Sequence, residues 1–367
     1  MACYLTKLEV EHFRGINGMS VEKLNHINLI VGDNNCGKTS VLEAVQLLRS
    51  PGDFTNVLRV ARQRNQYAVI SNFPVYEGFS SLFPQPSAEP LLQVSAFCGK
   101  LPVSVGMKGK WTAILLEPSE LPRFSSPFSK PRMEKSAVEA SAFSGELYWE
   151  DGSGFGRKDV LFHEYSHISG LELKKSSLLD INYLSPIDHL RMSVLNGILK
   201  NAQYKDLCLD VLRLFDPDIE DCLLLKNDRT NRPVEYIRHK RLGTMPLLSY
   251  GDGIRKVLLL ASAIARSVHS VLLIDEIDTG LHAKYYDPVF RFVVSACRRY
   301  AIQLFITTHS KEAIDALLST QDYDTRNAED ELSVLTLKKT PDRTLVREMD
   351  GRSVYQDREA FDFEVRL

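Results

Sequence analysis

One stretch constrains this chain more than any other: LIVGDNNCGKTSVLEAV, beginning at Leu29. It sets Gly32, Gly37, Lys38 and Thr39 in the spacing G-x-x-x-x-G-K-[ST]. A phosphate chain is held well by several backbone N–H groups converging on it. Convergence needs a tight loop without Cβ atoms in the way, hence the glycines. Lys38 supplies a point charge for outer phosphates, and the Thr39 hydroxyl suits Mg²⁺. The flanks decide the matter. HINLIVG reads as a buried strand, and Val41, Leu42, Val45 and Leu48 recur at helical spacing. A strand feeds the loop, and the loop feeds a helix N-terminus, where unpaired N–H groups and the dipole favour an anion. Cys36, inside the loop, reads as a filler position.

Three later stretches fit the same chemistry. HSVLLIDEIDTGLH, from His269, reads as a buried strand ending in Asp275 and Glu276. Carboxylates at such an edge lie where open α/β sheets bind ligands: Asp275 suits a Mg²⁺ shell, and Glu276 suits a water-orienting base. IQLFITTHS, from Ile302, is another buried strand whose end carries His309, placed to hydrogen-bond a terminal phosphate and sense its loss. LLSYGDGIRKVLLLASAIARS, from Leu247, has one apolar face at helical spacing. Ser249 and Gly251 precede that face. Ser249 there is either a helix cap or part of a second phosphate-facing helix start.

These residues, in this order, resemble the ABC-type ATPase heads of the branch that includes RecF, SMC-like proteins and OLD-like ATPases. GDNNCGKT is similar to Walker A, LSYGDG to the signature, LLIDEID to Walker B and the D-loop, and TTHS to the switch histidine. Arg14, in EHFRGI, matches an arginine that commonly lies near the nucleotide in that branch. The resemblance implies an α/β fold: a RecA-like, mostly parallel sheet core, an antiparallel β layer and a helical signature subdomain. It implies ATP and Mg²⁺ as ligands. Nucleotide contacts would come from Gly32, Asn34, Asn35, Gly37, Lys38, Thr39, Ser40, Arg14, Ser249, Gly251 and Asp278. Thr39 and Asp275 would hold the metal, and Glu276, His309 and Lys38 would serve catalysis. It also implies a homodimer in which each copy's signature meets the other's nucleotide. Tyr250 and Asp252 depart from the double-glycine signature, and Ser185 or a neighbour takes the place of a Q-loop glutamine.

The landmarks divide the chain into an N-terminal lobe, 1–185, with Walker A and a β insertion; a helical arm, 186–250; a core, 251–320; and a C-terminal hairpin and tail, 321–367. Pro341 and Asp342 mark the hairpin turn. The stretch SELPRFSSPFSKPRMEKS reads as an exposed loop. His163 and His167, four apart around Glu164, have metal-like spacing but no third ligand. A net charge of -2 argues against a strongly basic nucleic-acid clamp. Six scattered cysteines give no C-x-x-C pair. No apolar run is long enough to span a bilayer, so no membrane is expected and the expected compartment is the cytoplasm. OLD-family nucleases carry a C-terminal Toprim domain, and none is expected in the stretch after His309. The expected function is an ATPase that controls a separate effector, such as a nuclease or toxin, in bacterial antiphage defence. The alternative is a RecF-like ATPase that clamps DNA.

Overall fold

A computed structural model describes residues 4–64, 75–84, 88–117, 119, 137–152, 154–166, 179–190, 194–199, 201–227, 231–323, 330–361 and 364–365. The strands are β1 (Leu5–Phe13), β2 (Ile16–Val21), β3 (Ile27–Gly32), β4 (Leu91–Cys98), β5 (Leu101–Leu116), β6 (Val138–Asp151), β7 (Phe155–His163), β8 (Ile181–Leu184), β9 (Ile219–Lys226), β10 (Pro233–His239), β11 (Gly243–Pro246), β12 (Val271–Ile274), β13 (Gln303–Thr307), β14 (Leu332–Lys339) and β15 (Thr344–Asp350). The helices are α1 (Lys38–Leu47), α2 (Phe54–Gln63), α3 (Val75–Ser80), α4 (Leu195–Ile198), α5 (Ala202–Phe215), α6 (Asp252–Arg266), α7 (Tyr286–Arg299), α8 (Lys311–Leu318) and α9 (Gly351–Phe361).

The central sheet runs β15-β14-β3-β13-β12-β8 and is parallel except for β15. Its inner strands are buried on both faces, which is why they read as continuous apolar runs rather than alternating ones. The period of two still sorts their side chains. Ile27, Leu29 and Val31 of β3, with Leu272 and Ile274 of β12, join the core built with α5, α6, α7 and α8. Ile30, Val271, Leu273 and Phe305 point the other way, into a second core with α1, α2 and the antiparallel layer. That layer is the sheet β2-β1-β4-β5-β6-β7, as the sequence led us to expect. The hairpin β14–β15 closes the far edge, with Thr340 and Arg343 bonded across its turn.

The expected helical arm is only half helical. α4 and α5 are present, but Ile219 to Pro246 form a small antiparallel sheet, β11-β10-β9. The apolar run at Cys222–Leu225 fits either period, and the turn at Asp216–Pro217 resets the chain from helix to strand. β11 then delivers the chain to the start of α6. SELPRFSSPFSKPRMEKS lies almost wholly outside the described residues, as does His167. Among the described residues, no helix is long and apolar enough to cross a membrane.

Candidate functional site

The C-terminal ends of β3, β12, β13 and β8 come together at one edge of the central sheet, where an open α/β sheet presents its ligand crevice. A cavity of about 500 Å³ opens there, lined by Asn35, Gly37, Lys38, Thr39, Ser40, Glu43, Gln63, Arg64, Tyr183, Pro186, Ile187, Asp275 and His309.

The loop after β3 takes the shape its glycines permit. Gly32 has φ +141, and a Cβ there would lie 2.4 Å from the Leu337 carbonyl oxygen and 2.9 Å from Cys36 Sγ. No other residue fits. Cys36 is thus a packed filler beneath the loop. Gly37 has φ +108 and opens α1, whose first turn bears no acidic residue to compete with an anion. Lys38 is buried, and its Nζ donates to the Gly32 and Asp33 carbonyls at 2.8 Å each. Desolvation lowers its pKa, partly opposed by the Cys36, Glu276 and Asp275 charges.

Asp275 is the hub. Its carboxylate accepts from Thr39 Oγ1 (3.0 Å), Thr307 Oγ1 (2.6 Å) and the Tyr183 hydroxyl (3.0 Å). A carboxylate and a hydroxyl side by side next to a phosphate loop are hard oxygen donors, the set that suits Mg²⁺ with phosphate oxygens completing the shell. Glu276 has φ 46, uncommon for a residue with a Cβ. Its N–H donates to Thr307 Oγ1 at 2.8 Å, and its carboxylate accepts from Thr279 Oγ1 at 3.1 Å. His309 Nε2 lies 3.7 Å from Glu276 Oε1. Asp278 accepts from Thr308 Oγ1 at 2.5 Å, which ties the D-loop to the end of β13. Lys256 of α6 is fully buried, and its Nζ faces the Glu276 carbonyl at 3.4 Å. Burial lowers its pKa to about 8 against the pull of Asp278, Asp188, Asp275 and Glu276.

Other expected residues sit elsewhere. Gly32 and Asn34 belong to the loop but do not line the cavity. Arg14, with φ 52, is turned inward to pair with the buried Glu43 at 2.8 Å, and burial lowers its pKa to about 10. The arginine that lines the cavity is Arg64, which donates to Glu43 Oε2 at 2.6 Å and Ser40 Oγ at 2.9 Å. Ser185 is buried and outside the cavity lining; its neighbour Tyr183 is the one that reaches Asp275. Ser249 is not a helix cap. α6 is capped by Gly251 without a side-chain bond, and Ser249, Gly251 and Leu248 are exposed and away from the cavity. Sequence reasoning missed Arg64, Gln63, Tyr183, Thr307 and Lys256. The hydroxyl run TTHS was the one signal that pointed to Thr307. Asp216, Asp218 and His239 cluster outside the site. His239 Nδ1 accepts from the Arg241 and Leu242 N–H groups, so Nε2–H donates to Asp216 and the group is a loop staple.

Comparison with known proteins agrees with this geometry. Residues 127–315 match the family described as "AAA domain, putative AbiEii toxin, Type IV TA system". Residues 4–77 match the family described as "AAA ATPase domain". The chain is 21% identical over 336 residues to an ATP/GTP phosphatase of Helicobacter pylori, covering 85% of this chain and 87% of that protein. It is 22% identical over 354 residues to DNA replication and repair protein RecF of Shewanella baltica, covering 84% and 93%. Among solved structures it is similar in fold to an Smc head bound to the C-winged helix domain of ScpA, with TM-score 0.50, 11% identity and coverage of 96% and 99%. The first of these families spans more than half of the chain, from β6 through α8, and the protein belongs to it as an ABC-type ATPase head of the RecF/SMC-like branch.

Proposed function

We propose that this chain hydrolyses ATP with Mg²⁺ in a pocket completed by a second copy of itself, and that the cycle controls a separate effector protein in antiphage defence. One observation carries the reading. The phosphate loop, Asp275 and His309 share one cavity, with Glu276 beside His309, whereas Ser249 and Gly251 stand exposed outside it. The start of α6, a helix of 15 residues, offers N–H groups to an anion, and none of its residues is among those that line the cavity. A two-fold arrangement would give each such helix start the other copy's terminal phosphate.

In this reading Lys38 and the loop N–H groups hold the outer phosphates. Thr39 and Asp275 hold Mg²⁺, which supplies charge neutralisation across the phosphates. Glu276 takes the proton of the attacking water, its carboxylate oriented by Thr279, and His309 donates to the terminal phosphate. The name of the Helicobacter pylori relative supports turnover. Effector control and defence find support in the toxin–antitoxin description of the family. A DNA clamp is the second reading, favoured by the similarity to RecF along most of both chains. A net charge of -2 weighs against it.

The test is Glu276→Gln. It should abolish Mg²⁺-dependent hydrolysis while ATP still drives dimers, read by light scattering after size exclusion, and Ser249→Arg should prevent those dimers. An ATP-loaded Glu276→Gln protein that stays monomeric sinks the shared pocket. A nuclease or toxin co-purifying from the host supports effector control. A salt-sensitive gel shift of duplex DNA by the isolated chain supports the clamp.

A further inference from the structure

Asp275 follows β12, and β12 lies between β13 and β8 in the central sheet. Each neighbouring strand sends one hydroxyl to its carboxylate. Thr307, the last residue of β13, donates to Oδ1 at 2.6 Å, and Tyr183 of β8 donates to Oδ2 at 3.0 Å. The backbone beneath both donors is tied to the same turn. Thr307 Oγ1 accepts the Glu276 N–H at 2.8 Å, and the Leu184 carbonyl, next to Tyr183, accepts the Asp275 N–H at 2.9 Å. Thr39 is the third donor. Its single O–H proton lies between the two oxygens, 3.0 Å from Oδ2 and 3.2 Å from Oδ1 for the oxygen that carries it. When the Thr39 hydroxyl serves an ion instead, Tyr183 and Thr307 still hold one carboxylate oxygen each.

A carboxylate held at both oxygens, from strands on either side of it, is not free to turn both of them on one ion. Mg²⁺ does not ask for that: it is small and keeps close to octahedral geometry. Ca²⁺ is larger, takes more oxygens at longer distances and readily takes both oxygens of one carboxylate. We propose that Tyr183 is a positioning residue that sets the ion preference of this site: with Thr307 it clamps Asp275 so that Mg²⁺ is favoured over Ca²⁺. This rests on the nucleotide reading above and goes beyond it, because a nucleotide site without the phenol would still bind both ions. Tyr183 acts through Asp275, and its ring only lines the cavity.

The experiment uses the full chain with Tyr183→Phe, which keeps the ring and removes the hydroxyl. Thr307→Val, which keeps the shape and releases the other oxygen, is the second variant. Calorimetric titration with ATP in Mg²⁺, in Ca²⁺ and in EDTA is paired with thermal unfolding in EDTA. In the natural protein Mg²⁺ should add more ATP affinity than Ca²⁺ does. Tyr183→Phe should lose about tenfold of the affinity that Mg²⁺ adds. The part that Ca²⁺ adds should hold or rise, and affinity in EDTA should not change. Thr307→Val should shift the preference in the same direction. Equal losses with the two ions, no change with either, or failure of both variants to fold would make the hydroxyls structural and overturn the proposal. So would a natural protein that binds ATP equally well with Mg²⁺ and Ca²⁺. If the natural protein binds no ATP under any of the three conditions, the nucleotide reading itself has failed. If it binds ATP with a Mg²⁺ preference that both variants keep, this inference alone has.

Discussion

Thr39 Oγ1 and Asp275 Oδ2 stand 3.0 Å apart although 236 residues separate them in the chain. Octahedral Mg²⁺ bonds at about 2.1 Å would set neighbouring ligand oxygens about 3 Å apart. The pair thus has the spacing of one edge of such a shell before any ion arrives. Thr307 holds the other carboxylate oxygen, Oδ1, and the Tyr183 hydroxyl shares Oδ2 with Thr39. Asp275→Asn should leave Mg²⁺-free ATP affinity nearly unchanged and remove at least about tenfold of the affinity that Mg²⁺ adds. Titrations with Mg²⁺ and with EDTA check this. An equal loss in both conditions would mean that Asp275 serves the fold rather than the ion.

Glu276 pays for its position with backbone strain. Its φ of 46 lies in the region that favours glycine, and the Thr307 hydroxyl and Lys256 ammonium grip its two peptide groups. Strain kept at a carboxylate beside a phosphate cavity is expected where position matters more than stability. Glu276→Gly should therefore unfold at the same temperature as the natural protein or higher, by a gain of up to about 1 kcal/mol, while hydrolysis is lost. Lys256→Met, which frees the carbonyl side of that grip, should lower kcat more than it raises KM. Retained hydrolysis in Glu276→Gly would remove Glu276 from the chemistry.

Much of this site was legible in the sequence because its parts are local. Gly32 to Thr39 specify a loop by their own backbone needs, and the apolar runs before Asp275 and Thr307 announce buried parallel strands. What escaped is tertiary. Gln63 and Arg64 end α2, a helix inside the stretch that reads as the β insertion, and only the return of α2 alongside α1 brings them to the cavity. Tyr183 lies in a strand too short to show which face it uses. Lys256 sits among apolar residues of α6 and looks like a surface position until its Nζ is traced to Glu276. The β9–β11 sheet was missed because a four-residue apolar run suits either period.

Glu43 is buried between two guanidiniums, Arg14 at 2.8 Å and Arg64 at 2.6 Å. The two partners are unequal. Arg14 is almost wholly buried, whereas Arg64 is nearly half exposed and can turn to water. Removing the carboxylate strands the Arg14 charge, so Glu43→Ala should cost about 3–5 kcal/mol. Arg64→Ala should cost well under half of that, because Arg14 still neutralises Glu43 and a half-exposed pair is screened by solvent. Urea unfolding of both variants reads the difference. Equal losses would mean that the network is worth no more than its exposed half.

His189 gives the fold a pH limit. It is 3% exposed, and a Cβ on Gly280 of the D-loop segment would lie 3.0 Å from its Nε2. Burial, and after it the charge of Lys256, lowers its pKa from the ordinary 6.5. The sign follows from which state binds the proton first. As pH falls through 6.5 the unfolded chain takes up a proton that the folded chain refuses, so stability is full above that value and declines below it until the lowered pKa is passed. Other groups titrate on the same limb, so the useful quantity is a difference. Urea unfolding at pH 7.5, 6.5 and 5.5 should show the natural protein losing more stability across this range than His189→Gln, whatever the absolute stability of the variant. Parallel declines for the two proteins would show that His189 takes up its proton as readily in the fold as out of it, and that the packing of the D-loop against it carries no electrostatic cost.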